Sequence, residues 1–578
     1  MSAATQRPKI AADVAATLTA QIPARLVKKL DADPTIAERW TWAAGTITTD
    51  KGETVRFTLV DEIITEVGCS CLLGPKCLHV AAVVAVLEPA EGSAAPAATV
   101  EVVEVEAAPA APAVDNAADA IAAAQRSFRA LADVLGAGAE ATGTFAQAEV
   151  LRAIHACKTA GLHRLAQTQT RALRSIRELR ADKPEFALEV LTADLREGLV
   201  VAHLLAAGEL APELVGRARR DYEPIGNIRL RGVLTEAVVA RSGYAGAITY
   251  LVDDKGQLYT RADVAPGDVG RAAGAYDGAA NIGDAVLPHR ELCRTGLFVS
   301  GATASADGRL GAGQKVKAVK ASEPSRWDGE HLAPRFREPL ADQLARIAAR
   351  DGEPEELRPA GWDLAFVEGI VVGGPAGVGM VAQGDVLVRF TTALEHKTLA
   401  ARDNLGVLAK ASGLHVRAIG RVRVGSPRQL ELLAIGPAPD ETRLALPDAW
   451  HGRANIHYDR LSIPPLGDVP RIQVAPAPPT DDLLSVLRRR VERCVLGGAG
   501  TLPTHAIAEL EREAATLTER ALRGGADVLL DLAALAHDAA RSATGARKPI
   551  DRATFARAWL RAALYEDAAR RRLSVASW

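Results

Sequence analysis

Cysteine is scarce: six in 578 residues, which excludes a disulfide scaffold. Aromatic residues are equally thin, at 4%. Charge of one sign is missing too, because 69 Lys and Arg face 71 Asp and Glu for a formal net charge of −2. The chain is therefore no polycation, and any grip on nucleic acid or acidic lipid has to come from a local patch. Long apolar runs are also absent. The strongest, around 79–87 and 198–208, fall well short of the ~20 residues of a membrane span. Residues 1–13 carry charge with no apolar run behind them. No secretory signal and no membrane contact are expected, and the cytoplasm is the default.

What is present is length enough for several cores, at ~100–200 residues per domain. Hydrophobic residues make up 48% and charged residues 24%, as in ordinary globular protein. Residues 13–31 read as an amphipathic helix, with Val14, Leu18, Ile22, Leu26 and Leu30 every four positions. A β pattern follows. The run from Trp40 to Ile47 leads through a turn at Asp50-Lys51-Gly52 to Thr54–Val60, which alternates at period two. A further strand begins at Ile63 and runs into the first cysteines, and an apolar helix starts at His79.

Residues 89–118 are mostly Ala, Pro, Val and Glu, a composition that cannot bury enough surface to order itself. Beyond this tether, 119–225 looks all-helical. Residues 226–472 read as a β-rich block in two sets, open to division into two subdomains, with a helix at 339–350 between the sets. Prolines at 476–479 mark the next boundary, and 481–573 is helical again. The expectation is an α+β multi-domain chain. Its parts are a zinc-binding domain at 1–93, a linker at 94–118, a helical domain at 119–225, the β-rich block at 226–472 and a helical C-terminal domain at 473–578.

The chemistry concentrates in Cys69-Ser-Cys71-Leu-Leu-Gly-Pro-Lys-Cys77-Leu-His79. Zinc takes four soft or borderline ligands in a tetrahedron. Alternation along a strand turns Cys69 and Cys71 to one face. Gly74-Pro75 is a turn signal that brings the chain back. Cys77 and His79 fall at the start of the helix, where unpaired backbone N–H groups support thiolate charge. Three thiolates and one divalent ion leave about −1, which Lys76 can partly offset. Four protein ligands leave no open position, so one structural zinc ion is expected. The passage resembles a SWIM-type zinc finger, C-x-C followed by a variable gap and C-x-H in a β-β-α setting. The likeness covers roughly residues 40–90 and implies zinc binding plus a contact with protein or nucleic acid. Many members carry a basic residue between the last two ligands, where this chain has Leu78. Bacterial proteins with one such N-terminal finger are associated with AAA+ ATPases or von Willebrand A-type proteins, and the resemblance extends that expectation here. A metal that only holds a small domain together is the plainer alternative.

Other signals are weaker. Arg171, Arg174, Arg177 and Arg180 recur every three residues and could track phosphates, with Lys183 extending the row. Residues 119–225 nevertheless balance 14 basic against 14 acidic residues, which favours a solvated face paired with Glu178 and its neighbours. Arg217, Arg219 and Arg220, Arg488–Arg490 and Arg570–Arg572 are further basic spots. Residues 1–93 hold 9 basic and 11 acidic residues, so the finger region itself is no polyanion grip. Gly373-Gly-Pro-Ala-Gly377-Val-Gly379 follows a strand, but Asp385–Phe390 after it reads as another strand, without the helix N-terminus that phosphate needs. Gly311-Ala-Gly313-Gln-Lys315 lacks Walker spacing. His537-Asp538 lacks the partners of a metal phosphohydrolase, and no serine elbow or catalytic cysteine context stands out.

These readings point to a non-enzymatic adaptor whose finger docks a protein. The alternatives are a nucleic-acid-binding protein using the finger and the Arg171–Arg180 row, or an enzyme with its site in 226–472.

Overall fold

The computed structural model describes residues 8–10, 14, 18, 36–43, 45–50, 52–60, 63–71, 77–87, 116–217, 221–311, 313, 316–374, 377–463, 482–502, 507–538 and 550–578. Most of the helix expected at 13–31, the tether up to residue 115, the Gly74-Pro75 turn, Lys76 and the prolines at 476–479 lie outside these residues. The chain divides into two compact units, Met1–Pro109 and Ala110–Trp578. Helices and several sheets occur together, so the architecture is α+β.

The first unit is a five-stranded sheet with one helix against it. Its strands are β1 (Lys9–Ile10), β2 (Thr41–Ala43), β3 (Thr46–Thr48), β4 (Thr54–Val60) and β5 (Ile63–Cys69), in the order β1-β5-β4-β3-β2. The run from Trp40 to Ile47, part of the expected β pattern, folds back as the β2–β3 hairpin. Gly45 in that turn has φ +75°, a conformation a β-carbon disfavours. Alternation holds in β4, where Val55 and Phe57 are buried and Arg56 and Thr58 are exposed. The helix α1 (Leu78–Val86) is apolar nearly all round and packs Val80, Ala82 and Val83 against Ile47, Val55 and Ile64.

The second unit holds a helical body and the β-rich block. The longer helices are α2 (Ala117–Ala137), α3 (Thr144–Thr159), α4 (His163–Arg180) and α5 (Leu188–Ala206) before the block, then α6 (Leu340–Asp351) inside it. After the block come α7 (Ser485–Gly497), α8 (Ile507–Glu519), α9 (Arg523–Asp538) and α10 (Arg552–Ala576). α2 begins inside the expected linker 94–118, capped by Asn116, whose side chain accepts from Ala118 N at 3.0 Å. The helical segments 119–225 and 473–578, expected as separate domains, share one hydrophobic core. Leu131, Leu195 and Leu199 pack in it with Leu529, Phe555 and Trp559. The two segments thus close on each other across the intervening block.

The block contains two sheets built on one plan. The first has β6 (Glu223–Ala240), β7 (Tyr244–Val252), β8 (Leu258–Pro266), β11 (Thr295–Ala304) and β12 (Lys317–Pro324), in the order β12-β11-β6-β7-β8. The small hairpin β9 (Ala279–Ile282) and β10 (Ala285–Pro288) is inserted between β8 and β11. The second has β13 (Leu364–Gly374), β14 (Gly377–Ala382), β15 (Leu387–Thr391), β16 (His415–Val422), β17 (Gln429–Pro437) and the short β18 (Ala454–Asn455). In each, a three-stranded meander is followed by a helix-bearing crossover and a hairpin whose first strand returns beside the first strand of the meander. A parallel pairing of β15 with β17 closes the second sheet into a barrel. A parallel bridge from Thr260 to Arg309 draws the first one the same way. α6 separates the two sets where a helix is expected, at 339–350, with Pro339 just before its first turn.

The glycine run 373–379 forms the β13–β14 hairpin, with Gly374 opposite Gly377. A β-carbon at Gly373 would stand 2.2 Å from Ala409 O, and one at Gly379 2.4 Å from Val388 O. Close barrel packing explains these glycines without a nucleotide. The outer faces of the two sheets meet through Tyr250, Val252 and Leu258 on one side and Phe366, Ile419 and Leu433 on the other. A buried ion network pins this junction. Arg421 makes two 2.9 Å bonds to Glu236 and one of 2.6 Å to Asp363, and Tyr250 donates to Glu236 at 2.8 Å.

Candidate metal centre

Sequence-adjacent elements build the site. Cys69 is the last residue of β5 and Cys71 stands just beyond it. Cys77 is the N-cap of α1, and His79 lies in the first turn. Val80 N donates to Cys77 Sγ at 3.5 Å, so the helix's unpaired N–H groups already face the sulfur. Cys77 is buried, and the other three side chains are half-buried. Trp40 sets its ring edge-to-face on the His79 imidazole, centroids 5.8 Å apart, and fixes the ring's orientation. Sequence reading missed this role for Trp40, since an indole 39 residues upstream carries no local sign of it.

The four ligand atoms lie within 4.8 Å of one another. Metal–sulfur bonds near ~2.3 Å and metal–nitrogen bonds near ~2.0 Å give tetrahedral edges of about 3.5–3.8 Å. Cys69 Sγ and His79 Nδ1 stand 3.7 Å apart, already at such an edge. The donor set therefore fits a metal ion, and it is the only such His/Cys/Asp/Glu group among the described residues. The thiols themselves are held protonated by their surroundings. Burial pushes the Cys69 thiol up to about 12, with the neighbouring Cys71 and Cys77 sulfurs adding to the rise. Burial also raises Cys77. Without a cation these thiols hold their protons, and a divalent ion reverses that preference by binding thiolate.

The remaining cysteines are core. Cys157, Cys293 and Cys494 are all buried. Cys157 sits against Ser127 Oγ at 3.1 Å, and Cys293 accepts from Asn455 Nδ2 at 3.3 Å.

The arginine row does not keep to one face. At 3.6 residues per turn each three-residue step drifts by about 60°, so α4 turns its ends to different neighbours. Arg171 binds Asp194 at 2.7 Å and Glu197 at 2.6 Å on α5. Arg177 donates to Gln147 Oε1 at 3.2 Å and Arg180 to Glu140 O at 2.6 Å. Arg174 is exposed. The other basic spots are also drawn into pairs. Arg217 faces Asp221 at 3.3 Å. Arg488 binds Asp482 and Glu566, Arg490 binds Glu509 and Glu513, and Arg570 and Arg571 both bind Asp567. Arg219, Arg220, Lys315 and the side chains of His537 and Asp538 lie outside the described residues.

No helix among the described residues is long and apolar enough to cross a membrane. No known protein family, curated protein or solved structure matches the chain.

Proposed function

We propose that the ion is zinc, that the first unit is a SWIM-type finger, and that the chain is a non-enzymatic adaptor whose finger docks a protein partner. The observation that carries this reading is the convergence of Cys69, Cys71, Cys77 and His79 within 4.8 Å. Three sulfurs and one imidazole are a zinc-type set, and four protein ligands leave no position for a substrate. Such a site supports a fold and a surface. The surplus of acidic residues over 1–93 and the apolar Leu78 between the last two ligands favour a protein over a polyanion. An AAA+ ATPase or a von Willebrand A-type protein is the partner class that the SWIM resemblance suggests.

Two measurements test the reading. Metal analysis of the purified chain should give about one zinc per molecule, lost in Cys77→Ser and His79→Ala. Less than half an equivalent would sink the metal assignment. Affinity purification from native cells, with intact chain against Cys69→Ser/Cys71→Ser, should recover a protein that binds the intact chain alone. Identical sets from both would remove the docking role and leave the metal as a staple.

A further inference from the structure

The two sheets of the β-rich block share a strand plan but not a surface. The plan, a five-stranded Greek key with a helix-bearing crossover before its last hairpin, belongs to barrels that commonly offer their second and third strands to oligonucleotides. In the first copy those strands are β7 and β8. Their outer face is spent on the second copy, through Tyr250, Val252 and Leu258. What the first copy leaves open is the outer face of β6, β11 and β12.

Register lays out this face as a grid. One row across the three strands is Arg229, Phe298 and Val319. Two residues along, Ser300 stands opposite Lys317, and Asn227 accepts from Gly301 N at 3.3 Å. Such rows are about 6.8 Å apart along the strands. Phe298 is 51% and Val319 67% exposed, unusual for large apolar residues in the middle of strands. Arg229 sets its guanidinium 5.0 Å from the Phe298 centroid, and its Nε is buried without a partner. Neither Arg229 nor Lys317 forms a close ion pair among the described residues, although Asp254 stands within electrostatic reach of Arg229 and Asp284 of Lys317.

We infer that this face binds single-stranded RNA, with a base stacked on Phe298 and backbone phosphates on Arg229 and Lys317. An exposed ring flanked by cations is the arrangement that stacking platforms use, since every base has a π-face. The grid carries two cations around the exposed ring, with Asp254 and Asp284 near them, and its cations suit a polyanion better than an acidic peptide strand. Ser300 and Asn227 place a hydroxyl and an amide beside the ring, groups that can engage a ribose 2′-OH.

The test uses the full chain and a fluorescein-labelled twelve-nucleotide oligouridylate, read by polarisation at 50 mM and 200 mM salt. The wild type should bind, more weakly at higher salt. Phe298→Ala should weaken binding at least tenfold. Lys317→Ala should weaken it several-fold and lower the salt slope by about one. Arg174→Ala, on an exposed helix face of the same unit, should change nothing. All variants alter exposed side chains, and circular dichroism confirms that they fold. The inference is overturned if the wild type does not bind, if Phe298→Ala stays within twofold, or if oligothymidylate binds as tightly as the RNA. It is equally overturned if sedimentation shows Phe298→Ala dissociating a self-associated species, because the face then belongs to a second copy.

Discussion

The two units of this chain solve the same problem with different means. Among the described residues, the first unit gathers a small core around Ile47, Val55, Ile64 and Val80, on strands as short as two residues. The helical body of the second gathers a much larger one. A small core yields little free energy once chain entropy is opposed, and a metal ion held by Cys69, Cys71, Cys77 and His79 would add to it. The second unit rests on burial, with most of its buried polar groups paired and a few, such as His289 Nε2, left without a partner. The lesson is that a metal dependence should be local: it should belong to the first unit and stop there.

The sharpest way to break that comparison is to remove the ion. Structural zinc contributes about 10–16 kcal/mol of binding free energy that is folding free energy as well. Chelation, or Cys77→Ser, should therefore expose the backbone amides of β3–β5 and α1 to rapid hydrogen exchange while those of α2, α5 and α10 keep their protection. Loss of protection in both units would show that the stabilities are coupled. Full retention in the first would show that its core suffices alone.

The next largest effect belongs to the second unit. Trp559 is fully buried where α10 meets α7, and its indole donates to Val491 O at 2.9 Å. Trp559→Ala should cost about 3–5 kcal/mol. Because the core is shared, denaturant unfolding should show helices from both sides of the β-rich block melting together. Separate transitions for the early and late helices would restore two independent domains.

That sharing was not legible in the sequence, and the reason is physical. Periodicity reports which face of a helix is apolar, not which distant face covers it. Leu131 and Trp559 each mark their own stripe, and nothing in 427 intervening positions states that they meet. Local features fared better. The four ligand residues converge because a strand end and a helix start bring them together within eleven residues, so spacing was enough. Sequence pattern placed about half of the block's strands and, with Pro339 near its start, the helix between the two sets, but not β11 or β12. It could not place the fold-back at Gly45, where one apolar run serves two strands, or the closure of β15 on β17, a pairing between residues far apart in sequence. Phe298 was hidden for a related reason. In Leu297-Phe298-Val299 all three residues are apolar, so the pattern does not say which one points outward.

A third test turns on buried polarity. His289 is fully buried, its Nδ1 is 2.7 Å from Thr249 Oγ1, and its Nε2 has no partner. Burial lowers its pKa to about 4, against an ordinary value near ~6.5. Between these values the unfolded chain binds the proton and the folded chain does not. Stability is thus fully present above about pH 6.5 and falls as pH drops towards 4, by about 3 kcal/mol in all. His289→Gln should flatten that part of the pH–stability curve relative to wild type. A curve of unchanged shape would mean that the imidazole is protonated at little cost in the fold.

The smallest effects separate two arginines that look alike in sequence. Arg171 and Arg174 lie one turn apart on α4, yet Arg171 answers Asp194, which is only 6% exposed. Burial raises the Asp194 carboxyl above its usual range, and the Arg171 guanidinium opposes that rise. Arg171→Ala leaves a buried carboxylate without its cation and should cost about 1–3 kcal/mol. Arg174 is exposed, so Arg174→Ala should stay within about 0.5 kcal/mol. Thermal unfolding of the two variants side by side checks the contrast. Equal effects would mean that the row acts as one surface after all, and that its three-residue spacing carries a meaning beyond the pairing each member makes with its own neighbour.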